Sequence, residues 1–121
     1  CGVLVGRDGL VDIAPMPQDK AQATLRMLLS LWLQGMQAPL PLPPKTALAQ
    51  LKDKGPAAQY EGSFMQTGES DEPCLARMFP DFEALSAEGR FQGLAQQVYA
   101  PLLAWADQHV TARFHRIEAA L

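Results

Sequence analysis

Few residues of this chain could do chemistry, and none of them is spaced as a reaction centre requires. Asp8 and Asp12 flank a turn and could share a divalent ion. No Glu-x-Lys pair lies nearby, so they read as a turn aspartate and a solvated strand residue. Glu69, Asp71 and Glu72 form an acidic loop without the alternating register and glycine of a calcium loop. That loop is expected to face water or a basic partner surface. His109 and His115 are six apart, whereas helical metal pairs prefer three or four, which places both on one face. Arg113, His115 and Arg116 make a small basic tip that could touch phosphate, or could match the dipole of a helix end. Ser63, Ser70 and Ser86 sit in no Gly-x-Ser-x-Gly elbow, and no phosphate loop is present. No catalytic, cofactor-binding or metal-ligating residue is therefore assigned.

These side chains sit on a chain of 121 residues, of which 48% are hydrophobic and 19% charged. That composition excludes intrinsic disorder and provides for a core. The formal charge of -3 argues against binding DNA through a general basic surface. Cys1 and Cys74 lack metal-type spacing, and a reduced cytoplasmic chain is expected. A chain opening on Cys1 is expected to start inside a larger protein or after processing. No signal peptide and no membrane span are read.

The elements follow from pattern and punctuation. Val3–Val5 and Leu10–Ile13 surround Gly6-Arg7-Asp8-Gly9 and predict a hairpin over about 3–13, with positive φ at its Asp-Gly turn. Pro15 and Pro17 end it. A helix is predicted over about 18–36, with Leu25, Leu28, Leu29, Trp32 and Met36 as one apolar stripe. Pro39 forbids its continuation. Ala38–Pro44 predicts a polyproline strap whose Leu40 and Leu42 plug a core. A second helix is predicted over about 45–54, then one or two helical turns ending at Gly62. Ser63–Pro73 reads as a loop, and Asp81 as the cap of a short helix. A last helix is predicted over about 91–120, kinked near Gln97 by Pro101. The fold class is α+β and mostly helical: a hairpin followed by a cluster of helices.

An ordered series of short motifs resembles a known family. It runs from Val3-Leu4-Val5-Gly6-Arg7-Asp8-Gly9 through Gln34-Gly35-Met36-Gln37-Ala38-Pro39-Leu40 and Leu42-Pro43. It continues through Ala49, Leu51 and Lys52 to Tyr60-Glu61-Gly62, then Gly68-Glu69, Asp71, Leu75 and Arg77, and ends on Tyr99–Leu103. In order and spacing these are similar to the C-terminal region of the exodeoxyribonuclease V gamma subunit, RecC. The resemblance spans essentially the whole chain, residues 1–121, and is weakest over Asp107–Leu121. The stretch after Leu51 is short for the family.

The resemblance implies the last part of an inactivated PD-(D/E)xK nuclease-like domain. It also implies partners: RecB-like and RecD-like subunits, and double-stranded DNA ends reached through the complex. Mg and ATP would act in those partner subunits, with no cofactor in this segment. Within the motifs, Gly35, Met36, Pro39, Tyr60 and Gly62 are structural motif positions, and Gly35-Met36 and Tyr60-Glu61-Gly62 are read as packing. Gly35 is expected to allow close chain approach, and Tyr60 to bury its ring and bond through its hydroxyl. No DNA-contact residue is carried over. The isolated segment is expected to expose an apolar patch and to be prone to self-association. The competing reading is an independent small helical adaptor with no DNA role.

Overall fold

The computed structural model describes residues 1–114. Strands β1 (Gly2–Val5) and β2 (Gly9–Ile13) are followed by helices α1 (Gln18–Gln37), α2 (Pro44–Leu51) and α3 (Pro56–Glu61). A 3-10 turn (Glu69–Asp71) then precedes α4 (Pro73–Met78), α5 (Phe82–Ser86), α6 (Arg90–His109) and strand β3 (Val110–Phe114). The α+β, mostly helical class and the N-terminal hairpin are as expected. Two compact units divide the chain: Cys1–Met27 with Leu102–Leu121, and Leu28–Pro101. No helix among the described residues is long and apolar enough to cross a membrane.

The first unit holds an antiparallel sheet of order β1-β2-β3. Val5 pairs with Leu10, and the Gly6 N–H donates to the Gly9 carbonyl at 2.9 Å. None of Gly6, Asp8 and Gly9 is among the positive-φ residues, so the turn closes without the left-handed backbone expected of its Asp-Gly pair.

The third strand corrects the expected helix over 91–120. Helix α6 stops at His109, and residues 110–114 pair with β2, with Ile13 opposite Val110 and Gly9 opposite Phe114. Val110, Ala112 and Phe114 alternate as well as Val110 and Phe114 match a helical stripe, so the local pattern is ambiguous. The unpaired edge of β2 decides it, helped by β-branched Val110 and Thr111. The Ala14 N–H extends the ladder to the His109 carbonyl at 2.7 Å. His115, Arg116 and the rest of the expected helix to 120 lie outside the described residues. Pro101 lies within α6, which is one continuous helix.

The second unit holds the core. Ala47, Tyr60, Leu85, Phe91 and Ala95 are buried together, with Leu42, Leu51, Phe79, Phe82 and Tyr99 packed around them. Phe82 meets Phe91 edge to face, centroids 5.9 Å apart. The proline strap feeds this core: half-buried Leu42 packs against it as expected, Leu40 is half-buried, and Pro41 and Pro43 are buried as well. Pro44 occupies the first turn of α2, where its missing N–H costs nothing. Helix α2 ends at Leu51, short of the expected 54, because Asp53 turns left-handed at φ 51. The Lys54 N–H then reaches back to the Ala49 carbonyl at 2.9 Å, as in a Schellman stop.

Candidate interaction surface

Two of the five motif positions, Tyr60 and Gly62, form a backbone clasp. Tyr60 is fully buried, and its hydroxyl donates to the Phe79 carbonyl at 2.6 Å. Burial, and behind it the charges of Glu69 and Asp81, pushes the Tyr60 phenol above its ordinary value. Gly62 ends α3 with φ 78, and a Cβ there would lie 2.5 Å from the Gly68 nitrogen and 2.7 Å from the Gln66 carbonyl oxygen. Only glycine suits both that backbone and that approach. Gly68 faces it with the same lack of room, since a Cβ would strike the Tyr60 carbonyl oxygen. Within Tyr-Glu-Gly, Tyr60 and Gly62 are therefore packed positions.

Of the other three positions, Gly35 and Met36 depart from expectation. Gly35 is exposed, and a Cβ there would meet Leu40 Cδ1 at 3.6 Å, an ordinary contact. No close approach requires it. Met36 is not a core residue; it is 70% exposed. Pro39 is exposed and lines a mixed polar and apolar groove with Pro41, Phe79, Leu85, Glu88 and Arg90.

The acidic loop is not simply solvated. The Glu69 carboxylate accepts from the Lys45 N–H at 3.0 Å, the Thr46 N–H at 2.7 Å and the Thr46 hydroxyl at 2.7 Å. These are orphan donors of the first turn of α2, whose N-cap is Pro43 and carries no side-chain acceptor. Glu69 thus caps a helix from 23 residues away and satisfies buried Thr46. A signal for it exists in the sequence: Pro43-Pro44-Lys45-Thr46 starts a helix with no Ser, Thr, Asp or Asn ahead of it, so the acceptor must come from elsewhere. Glu72 caps α4 through the Leu75 N–H at 2.9 Å. That bond, and then the Cys74 N–H, holds its carboxyl below the usual range. Asp81 caps α5 through Ala84 at 2.7 Å, as expected. Glu61 adds a bond to the Phe82 N–H at 3.0 Å.

The remaining candidate groups are dispersed. Asp12 does not stand alone on its strand: Arg113 donates its Nε to it at 2.6 Å, diagonally across β2 and β3. His109 stacks on Trp105, one turn back along α6. Ser86 donates to the Phe82 carbonyl at 2.8 Å. Cys1 and Cys74 are both exposed and unbridged. Among the described residues, no three of His, Cys, Asp and Glu gather as a metal site would need.

What the described residues do present is apolar surface. Leu25, Leu28, Leu29, Trp32 and Met36 of the α1 stripe are 43–70% exposed. The one buried residue of α1 is Leu31. At about 100° per residue, Leu31 lies about 120° around the helix from the centre of that stripe. Helix α1 therefore buries a flank and leaves its main apolar face in solvent. Val3, Leu4 and Val5 of β1 are exposed as well.

A helix cluster with a hairpin and an uncovered apolar helix face belongs to the class of domains that bury surface against something else. Residues 3–55, from β1 through α2, match the family model of the RecC C-terminal domain, so this part of the chain is similar to a RecC C-terminal region. That match associates the chain with RecBCD-related DNA recombination machinery. Comparison with curated proteins and with solved structures returned no match.

Proposed function

We propose that this chain is a non-catalytic structural and interaction segment of the gamma subunit of an ATP-dependent helicase–exonuclease, exodeoxyribonuclease V, that processes double-strand DNA breaks for homologous recombination. Its partners are RecB-like and RecD-like subunits, with DNA ends engaged through the complex, and its place is the cytoplasm. ATP and Mg act in the partner subunits. The segment belongs to the nuclease-like C-terminal domain of its parent chain and serves assembly.

The observation that carries this reading is the uncovered α1 stripe, with Trp32 60% and Leu29 60% exposed while Leu31 alone is buried. Fully burying one such side chain contributes roughly 1.5–3 kcal/mol, so five of them form a large unrealised term that a partner surface can satisfy. The stripe carries no charge from Met27 to Gln37, so it suits protein and not phosphate.

Deleting residues 18–37 from the full-length parent chain tests the reading. The trimer should fail to co-purify, and DNA unwinding should fall with it. A trimer that assembles and unwinds DNA unchanged would sink the proposal.

A further inference from the structure

We propose that the Phe64–Met65 turn is a preformed docking knob for a folded protein partner, one whose surface offers an apolar pocket ringed by basic side chains. The proposal rests on the assembly reading above and adds a second contact, together with the chemistry of what receives it.

Phe64 is fully exposed and Met65 is 90% exposed. They occupy the tip of a two-residue turn closed by reciprocal backbone bonds, Ser63 N–H to Gln66 O at 2.8 Å and Gln66 N–H to Ser63 O at 3.2 Å. Beneath the tip, Gly62 and Gly68 are in backbone contact too close for any Cβ, and Glu69 is bonded to the start of α2. Both ends of the turn are thus tied to the core through Tyr60 and Thr46. A turn held this way loses little conformational freedom on binding, which raises the affinity that its side chains can deliver. Exposed aromatic and methionine side chains at the tip of a backbone-bonded turn suit a concave apolar pocket.

Charge selects the kind of partner. Glu61 and Asp71 line the same depression as Phe64 and Met65. Glu69 and Glu72 follow, and no lysine or arginine occurs from Gly55 to Ala76. This rim repels nucleic acid and anionic lipid, and it complements basic residues around a protein pocket.

The test uses the full-length natural chain with its RecB-like and RecD-like subunits, and measures the affinity of each subunit over a range of salt. Phe64→Ser/Met65→Ser should weaken one subunit by about tenfold or more. Its melting temperature should stay unchanged, because neither side chain is buried. Asp71→Lys should weaken the same subunit, and wild-type affinity for it should fall with salt. A photo-crosslinking residue at position 65 should capture that subunit in the assembled complex. Affinities unchanged within about twofold for both subunits would overturn the knob and leave the assembly reading standing. Crosslinks only to the parent chain itself, or only to DNA, would overturn it too. If the wild-type chain binds neither subunit, the assembly reading fails first and the knob falls with it.

Discussion

Helices α1 and α6 are both 20 residues long, and both carry an apolar stripe at helical period, yet they end differently. Helix α6 buries Phe91, Leu94 and Ala95, while α1 buries only Leu31 and leaves Leu25, Leu28, Leu29, Trp32 and Met36 in solvent. An amphipathic pattern states that a face favours burial; it does not state where the burying surface is. For α6 that surface is supplied by α2, α3 and α5 through Ala47, Tyr60 and Leu85. For the α1 stripe, no element among the described residues supplies it.

Substitutions can sharpen this contrast. Phe91→Ala should have the largest effect, about 3–5 kcal/mol of lost stability, because it opens a cavity beside Phe82 and Tyr60. Urea denaturation would read it as a lower midpoint. A loss under about 1 kcal/mol would mean that α6 is no better anchored than α1. Gly62→Ala should follow. It combines a left-handed backbone with a steric clash, and should cost well over about 1 kcal/mol. Gly35→Ala is its counterpart on α1 and should stabilise by roughly 0.4–1 kcal/mol, since its Cβ has ordinary room. If the two alanines behave alike, the distinction between clasp and surface fails.

Glu69→Ala should cost about 1–2 kcal/mol, as loss of a helix cap does, with hydrogen exchange faster at the start of α2. The Glu72 cap gives a pH signature. Its carboxyl titrates lower in the folded state than the ordinary 4.5. Its contribution is therefore complete above that ordinary value and fades as pH falls through the folded one. Glu72→Gln should flatten the acid limb of the stability profile. Tyr60 and Tyr99 act with the opposite sign, because burial raises both phenols. Stability is whole below the ordinary value of 10.0 and is lost as pH climbs beyond it. Alkaline unfolding that coincides with tyrosinate absorbance would show this.

Trp32→Ser should change folding stability least, within about 0.5 kcal/mol. Its effect belongs elsewhere: sedimentation should show less self-association of the isolated segment. A large stability loss would mean that the stripe is covered by the chain itself.

Much of the architecture was legible from short-range features. Strand β1, the hairpin, α1, the stop at Gly62 and the Asp81 cap all rest on contacts within a few residues, so turn chemistry and periodicity reach them. The Tyr60 burial was legible through the residue type, since a tyrosine that buries its ring needs a hydroxyl partner. For Glu69 only the need for a distant acceptor at the start of α2 was legible, because its partners lie 23 and 24 residues away and nothing local distinguishes it from Asp71. Met36 was misread for a related reason. Membership of an apolar stripe gives no information about which side of the helix meets a neighbour.

By itself the sequence determined the elements whose energies are local: where helices start and stop, where prolines interrupt, and which residues favour leaving water. Only the tertiary structure decided that Val110–Phe114 pairs as a strand, that Glu69 caps α2, and that Leu31 and not the α1 stripe faces inward. Each of these depends on a partner distant in sequence, and such pairings are settled by what the folded chain brings within bonding distance.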